Sequence, residues 1–143
     1  RHAFPGRAVC IADCGTAVTI DCLDGGGRHE GGVILPGLTL MQESLYAATA
    51  GLAPQCPSEL ERGRLGRDTA SGIFLGCRHA LAGAMERVAA ESSEEGGAPV
   101  CLITGGAAPA LLPYLDSRWQ LRSHLVLEGA RILAQERPPG DGP

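Results

Sequence analysis

Residues 7–35, RAVCIADCGTAVTIDCLDGGGRHEGGVIL, decide the fold. Residues 7–13 (RAVCIAD) are a short apolar run that ends in an acid, and Gly15 breaks it. In residues 17–23 (AVTIDCL), Val18, Ile20 and Cys22 alternate with Thr19 and Asp21, the two-residue period of a half-buried strand. Asp24-Gly25-Gly26-Gly27 is a turn signal. Residues 31–35 (GGVIL) then read as a third strand. Three strands joined by tight connections predict an antiparallel meander.

Beyond the meander the period changes. Pro36-Gly37 takes the chain out of the sheet, and residues 38–50 predict a helix with Leu38, Met41, Leu45 and Ala48 at helical spacing. Residues 51–67, rich in Pro, Gly and charge, predict a surface loop or lid, with Ser58 and Glu61 as a capping box for a short helical turn. Asp68 is the expected N-cap of a long amphipathic helix reaching about Glu91, its stripe formed by Ile73, Cys77, Leu81, Ala84 and Val88. After the polar connection 92–99, residues 100–104 (VCLIT) read as a buried strand that ends at Gly105-Gly106. A short helix over 107–115, an edge strand over 120–123 and a closing helix over 125–136, bearing Leu125, Leu127, Ala130 and Leu133, complete the order. The expected fold class is α/β: a three-stranded antiparallel meander, then alternating helices and strands, giving a mixed sheet flanked by helices. Residues 1–137 form one domain in this reading and 138–143 a disordered tail.

The 143 residues suit a single domain. With 44% hydrophobic but only 3% aromatic residues, the core must be built from Ala, Val, Leu and Ile. The net charge of −4 gives no electrostatic reason to expect nucleic-acid binding. All twelve basic residues are arginine, so lysine is absent as a phosphate ligand. No apolar stretch approaches the roughly 20 residues that span a bilayer, and no signal-peptide pattern is present. The six cysteines (Cys10, Cys14, Cys22, Cys56, Cys77, Cys101) lack CxxC spacing and pair with no histidine at ligand spacing. Buried, reduced thiols of a cytoplasmic protein are therefore expected.

Two glycine corners carry the candidate chemistry. In DCGTAVTID (13–21), an acid at a strand end is followed by Gly15-Thr16. Glycine lets backbone N–H groups approach a phosphate, the Thr16 hydroxyl can donate to a phosphate oxygen, and Asp13 can hold a cation through a hard oxygen ligand. An ordinary hairpin with an Asx-type turn would use the same residues, and both readings stand. In LITGGAAPALL (102–112), Thr104, Gly105 and Gly106 lie where a nucleotide base or ribose could rest on bare backbone at the start of the next helix. A plain strand-to-helix turn is the alternative. Pro36-Gly37 reads as structural punctuation. Thr69, at the start of the long helix, could bind a polar ligand, although Asp68 and Thr69 read more simply as capping residues.

Taken in order, D-x-G-T-A-x-T-x-D, GG-x-I-x-PG, a Thr-led helix, TGG, and L-x-L-x-G (Leu125, Leu127, Gly129) resemble type III pantothenate kinases and the related Bvg accessory factor group. The match covers about Val9 to Ala134. The resemblance implies one ribonuclease-H-like lobe of the actin-like ATPase (ASKHA) fold. It implies ATP binding by Gly15, Thr16, Thr104, Gly105 and Gly106, and a pantothenate contact at Thr69. Asp13 would hold a monovalent cation (K+ or NH4+), with Mg2+ accompanying ATP. It further implies ATP-dependent phosphorylation of pantothenate to 4′-phosphopantothenate, the first step toward coenzyme A, in a cytoplasmic homodimer.

The family's D-x-G-N-T and G-x-D-R segments, the second holding the catalytic base, have no counterpart in this chain and are expected upstream of Arg1. The chain would then be a C-terminal half, a weak nucleotide binder without kinase activity of its own. It would be prone to self-association through the face its partner half covers. The alternatives are a non-catalytic accessory protein of the same fold, or another actin-like small-molecule kinase or phosphatase.

Overall fold

A computed structural model describes residues 2–49, 65–92 and 97–136. Its elements are β1 (Val9–Cys14), β2 (Ala17–Leu23), β3 (His29–Pro36), α1 (Leu38–Ala48), α2 (Thr69–Glu91), β4 (Val100–Thr104), α3 (Ala108–Leu111), a 3-10 turn (Leu112–Tyr114), β5 (Trp119–Leu121) and α4 (Leu125–Glu136). The five strands form one sheet in the order β3-β2-β1-β4-β5. β1 pairs antiparallel with β2, and β2 antiparallel with β3. β4 lies parallel to β1 and to β5. The sheet is mixed and helices flank it.

Alternation along the strands sorts the two faces. Cys10, Ala12 and Cys14 of β1, Val18, Ile20 and Cys22 of β2, and Cys101 and Ile103 of β4 join one buried cluster. That cluster also takes in Leu38 of α1, Cys77, Leu81, Met85 and Ala89 of α2, and Ala108 and Leu111 of α3, so these three helices cover this face. On the opposite face Val9, Val100 and Leu102 are buried against Phe4, Ile11 and Leu125. With so few aromatics, the α2 face is filled by aliphatic side chains such as Ile20, Leu81, Ile103 and Leu111, by cysteines and Met85, with Trp119 its one buried aromatic among the described residues. Five cysteines are buried and free of disulfides: Cys10, Cys14, Cys22, Cys77 and Cys101. Cys56 lies outside the described residues.

Several boundaries differ from the sequence reading. β3 begins at His29, because its glycines still pair with β2, Gly31 opposite Cys22 and Gly32 opposite Asp21. It also retains Pro36, an edge-strand position where the missing N–H costs no ladder bond. α1 ends at Ala48. The helix expected over 107–115 divides at Leu111 into α3 and a 3-10 turn containing Pro113, which cannot donate the next helical bond. The expected 120–123 strand is Trp119–Leu121, held by parallel pairing with β4. On α2 the buried line is Cys77, Leu81, Met85 and Ala89, with Ile73, Ala84 and Val88 only flanking it. On α4, Leu127 and Leu133 are 69% and 70% exposed, and only Leu125 packs onto the sheet. Most of the 51–67 loop, including the proposed Ser58–Glu61 capping box, and the 138–143 tail lie outside the described residues. No helix among the described residues is long and apolar enough to cross a membrane.

Candidate functional site

β1 and β4 run parallel and finish level, with Asp13 opposite Thr104 in the ladder. The corners that leave them are therefore neighbours at one end of the sheet. Gly105 has φ +91°, a left-handed conformation that favours glycine. A β-carbon at Gly105 would meet Cys14 O at 2.5 Å and Asp13 Oδ1 at 2.6 Å, so the two corners touch through bare backbone. The Ala107 N–H donates to Cys14 O at 2.9 Å and fastens the start of α3 to the end of β1.

A third corner closes on the first from the other side. The Gly37 N–H donates to Thr16 O at 2.9 Å. The Gly15 N–H is turned inward and donates to Ala17 O at 3.0 Å, so it is already used within the turn. Gly15, Thr16 and Gly106 are exposed, Asp13 and Gly105 half-buried. Thr104 is 3% exposed, so its side chain is enclosed and presents little to a ligand at this end of the sheet. The end of the sheet thus offers a half-buried carboxylate, an exposed hydroxyl at Thr16 and two exposed glycine turns.

Cys14 lies beneath this corner, and burial, reinforced by the neighbouring Asp13 charge, pushes its thiol up to about 12. It stays protonated at neutral pH and is no nucleophile. Among the described residues no three His, Cys, Asp or Glu side chains are grouped to hold a metal ion. The Asp13 carboxylate offers hard oxygen donors at the surface of the corner.

Thr69 stands elsewhere. It is the exposed first residue of α2, behind an Asp68 cap. Asp68 Oδ1 accepts from the Ser71 N–H at 2.8 Å, while Ser71 Oγ accepts from the Asp68 N–H at 3.2 Å and the Arg67 N–H at 3.1 Å. The backbone and hydroxyl hydrogen bonds from Ser71 hold the Asp68 carboxyl below its ordinary value. The far end of α2 is level with the opposite end of the sheet, since Val88 and Glu91 line a cleft of about 360 Å³ with Cys22, Glu30 and Gly32. The β1–β4 ladder brings Asp13, Thr104 and Gly105 together, whereas Thr69 belongs to a separate element, the start of α2. The sequence reading missed both the cleft and the part played by Gly37, because neither follows from a local pattern.

Residues 1–91 match the family model described as type III pantothenate kinase. Among curated relatives, the type III pantothenate kinase of Azoarcus sp. (strain BH72) is 40% identical over 132 residues, 90% of this chain and 48% of that protein. The type III pantothenate kinase of Janthinobacterium sp. (strain Marseille) is 39% identical over 141 residues, 96% of this chain and 54% of that protein. The chain spans about half the length of the curated relatives it matches. The crystal structure of a Campylobacter jejuni protein assigned to the Baf family of transcriptional activators superposes with a TM-score of 0.63 at 20% identity, over 91% of this chain and 58% of that one, a likeness of fold.

Proposed function

The chain belongs to the type III pantothenate kinase family, and from that premise we propose that it is the nucleotide-gripping lobe of an enzyme that transfers the γ-phosphoryl group of ATP to the 4′-hydroxyl of pantothenate. The observation that carries this is the meeting of the two glycine corners: Asp13 opposite Thr104, and Gly105 against the Asp13 carboxylate. A triphosphate lying across the end of β1 and β4 would have the Thr16 hydroxyl on its phosphates and the bare backbone of Gly105 and Gly106 under its nucleoside. In this reading the sheet is one ribonuclease-H-like lobe of an actin-like ATPase fold, whose second lobe closes the cleft.

Phosphoryl transfer depends on positioning, on neutralising phosphate charge and on a base that takes the hydroxyl proton. The residues of this chain serve the first two. Thr16 would fix a phosphate oxygen, and Asp13 would hold K+ or NH4+, whose charge would offset that of the phosphates. Mg2+ arrives with ATP. The base belongs to the additional length that the relatives possess. Thr69, exposed at the start of α2, is the residue that would meet pantothenate once that length is in place. A cytoplasmic homodimer is part of the same reading, the cytoplasm being supported by the free, buried thiols.

The test is pantothenate-dependent ADP release by the complete protein with MgATP and K+. Turnover that falls about 100-fold or more in Thr16→Ala and Asp13→Ala is expected, given that loss of one aimed group commonly costs that much. Absence of turnover would sink the proposal. Tight MgATP binding without turnover would point instead to a non-catalytic accessory protein.

A further inference from the structure

Gly37 adopts φ −72° and ψ 172°, backbone that any residue takes readily, so its conformation does not require glycine. Space does. A β-carbon at Gly37 would meet Thr16 O at 2.6 Å and Thr16 C at 2.9 Å, with Gly15 O closer still. All three are backbone atoms of the Gly15–Thr16 corner, and none can swing aside as a side-chain tip would. The same residue holds the corner by a hydrogen bond from its N–H to Thr16 O at 2.9 Å. Pro36, just before it, sits opposite Ala17 in the β2–β3 ladder. Just after it α1 begins, the Gly37 carbonyl accepting from the Met41 N–H at 2.9 Å. The corner is therefore clamped between two bare-backbone contacts, Gly105 and Ala107 on the β4 side and Gly37 on the β3 side.

We infer that Gly37 is a positioning residue for the triphosphate. By carrying no side chain it lets the end of β3 press the Gly15–Thr16 corner into the place from which Thr16 reaches the phosphates, an assignment that rests on the kinase reading of that corner. Gly37→Ala would have to push the corner outward, and displacements of that order are costly where reacting groups must be held in place.

In the complete enzyme, Gly37→Ala should raise KM for ATP about tenfold or more while leaving KM for pantothenate within about twofold. A purely structural role would lower the melting temperature and the active fraction but leave KM for ATP of the folded enzyme unchanged. A wild-type KM for ATP in Gly37→Ala overturns the inference. Should that variant not fold, hydrogen exchange at the Gly37 amide of the wild-type enzyme decides. Saturating MgADP should slow that exchange, because the amide is bonded to Thr16 O, and unchanged exchange overturns the inference. An active wild type with an indifferent Gly37→Ala overturns this inference alone. A wild type without pantothenate-dependent turnover removes it together with the kinase reading.

Discussion

Gly105 faces the Asp13 carboxylate so closely that a single added methyl group would lie 2.6 Å from Asp13 Oδ1. One position therefore joins the end of β4 to the acid at the end of β1. Gly105→Ala would meet two penalties, the left-handed backbone at φ +91° and that overlap. The first alone costs about 1–2 kcal/mol. Urea unfolding should show at least that loss, and calorimetry should show MgADP binding abolished in the fraction that folds. Normal MgADP binding by the Gly105→Ala protein would separate the corner from the nucleotide.

The long helix contains glycines without an evident packing role. Gly83 is exposed in the middle of α2, and an added β-carbon there meets nothing within 4 Å. Gly83→Ala should stabilise the fold by about 0.5–1 kcal/mol, because glycine in a helix interior costs that much relative to alanine. A rise of a few degrees in melting temperature, with nucleotide binding unchanged, is the expected result.

How much of this is legible in the sequence depends on the range of the interaction. The meander is readable because Val18, Ile20 and Cys22 alternate and because Asp24-Gly25-Gly26-Gly27 can do little but turn. Asp68 is readable as a cap because capping is decided within one helical turn, and Ser71 completes it. The extent of β3 is not readable, since Gly31 and Gly32 join the sheet through backbone pairing with β2 and not through side chains. Nor is the exposure of Leu127 and Leu133, because a helical stripe says which face is apolar but not what lies opposite it. At the site, Asp13, Thr16 and Gly105 announce themselves as corner residues. The closeness of Gly37 to Thr16 arises only once β3 has paired with β2.

Alkaline pH should destabilise the fold through its thiols. Burial raises the Cys10 and Cys14 thiols above the ordinary value of 9.0, with Cys22 and Asp13 respectively adding to the effect. A group whose pKa rises on folding contributes stability below its unfolded value and loses it as pH climbs toward the folded one. Stability should therefore be level up to about pH 8.5 and fall steadily above it. A thiol reagent at about pH 7.5, where the free thiol is still largely protonated, should leave Cys10, Cys14, Cys22, Cys77 and Cys101 unmodified until urea unfolds the chain. Rapid native-state labelling of Cys14 would contradict its burial.

The Asp68 cap acts at the other end of the pH range. Its carboxyl titrates below the ordinary value of 3.8 because it accepts from Ser71. A depressed pKa contributes stability above the unfolded value and loses it as pH falls through the folded one. Asp68→Ala should lower the melting temperature at neutral pH, and the difference from wild type should shrink below about pH 4. A difference that stays constant down to about pH 2.5 would show that the charged cap is not responsible.

The most direct measurement is a backbone amide titration of the complete protein with MgADP, followed by NMR. Gly15, Thr16, Gly105 and Gly106 should shift together along one binding curve, with Thr16→Ala weakening that curve. Shifts confined to one corner, or centred on the cleft beside Cys22 and Glu30 at the opposite end of the sheet, would contradict a shared grip on one nucleotide.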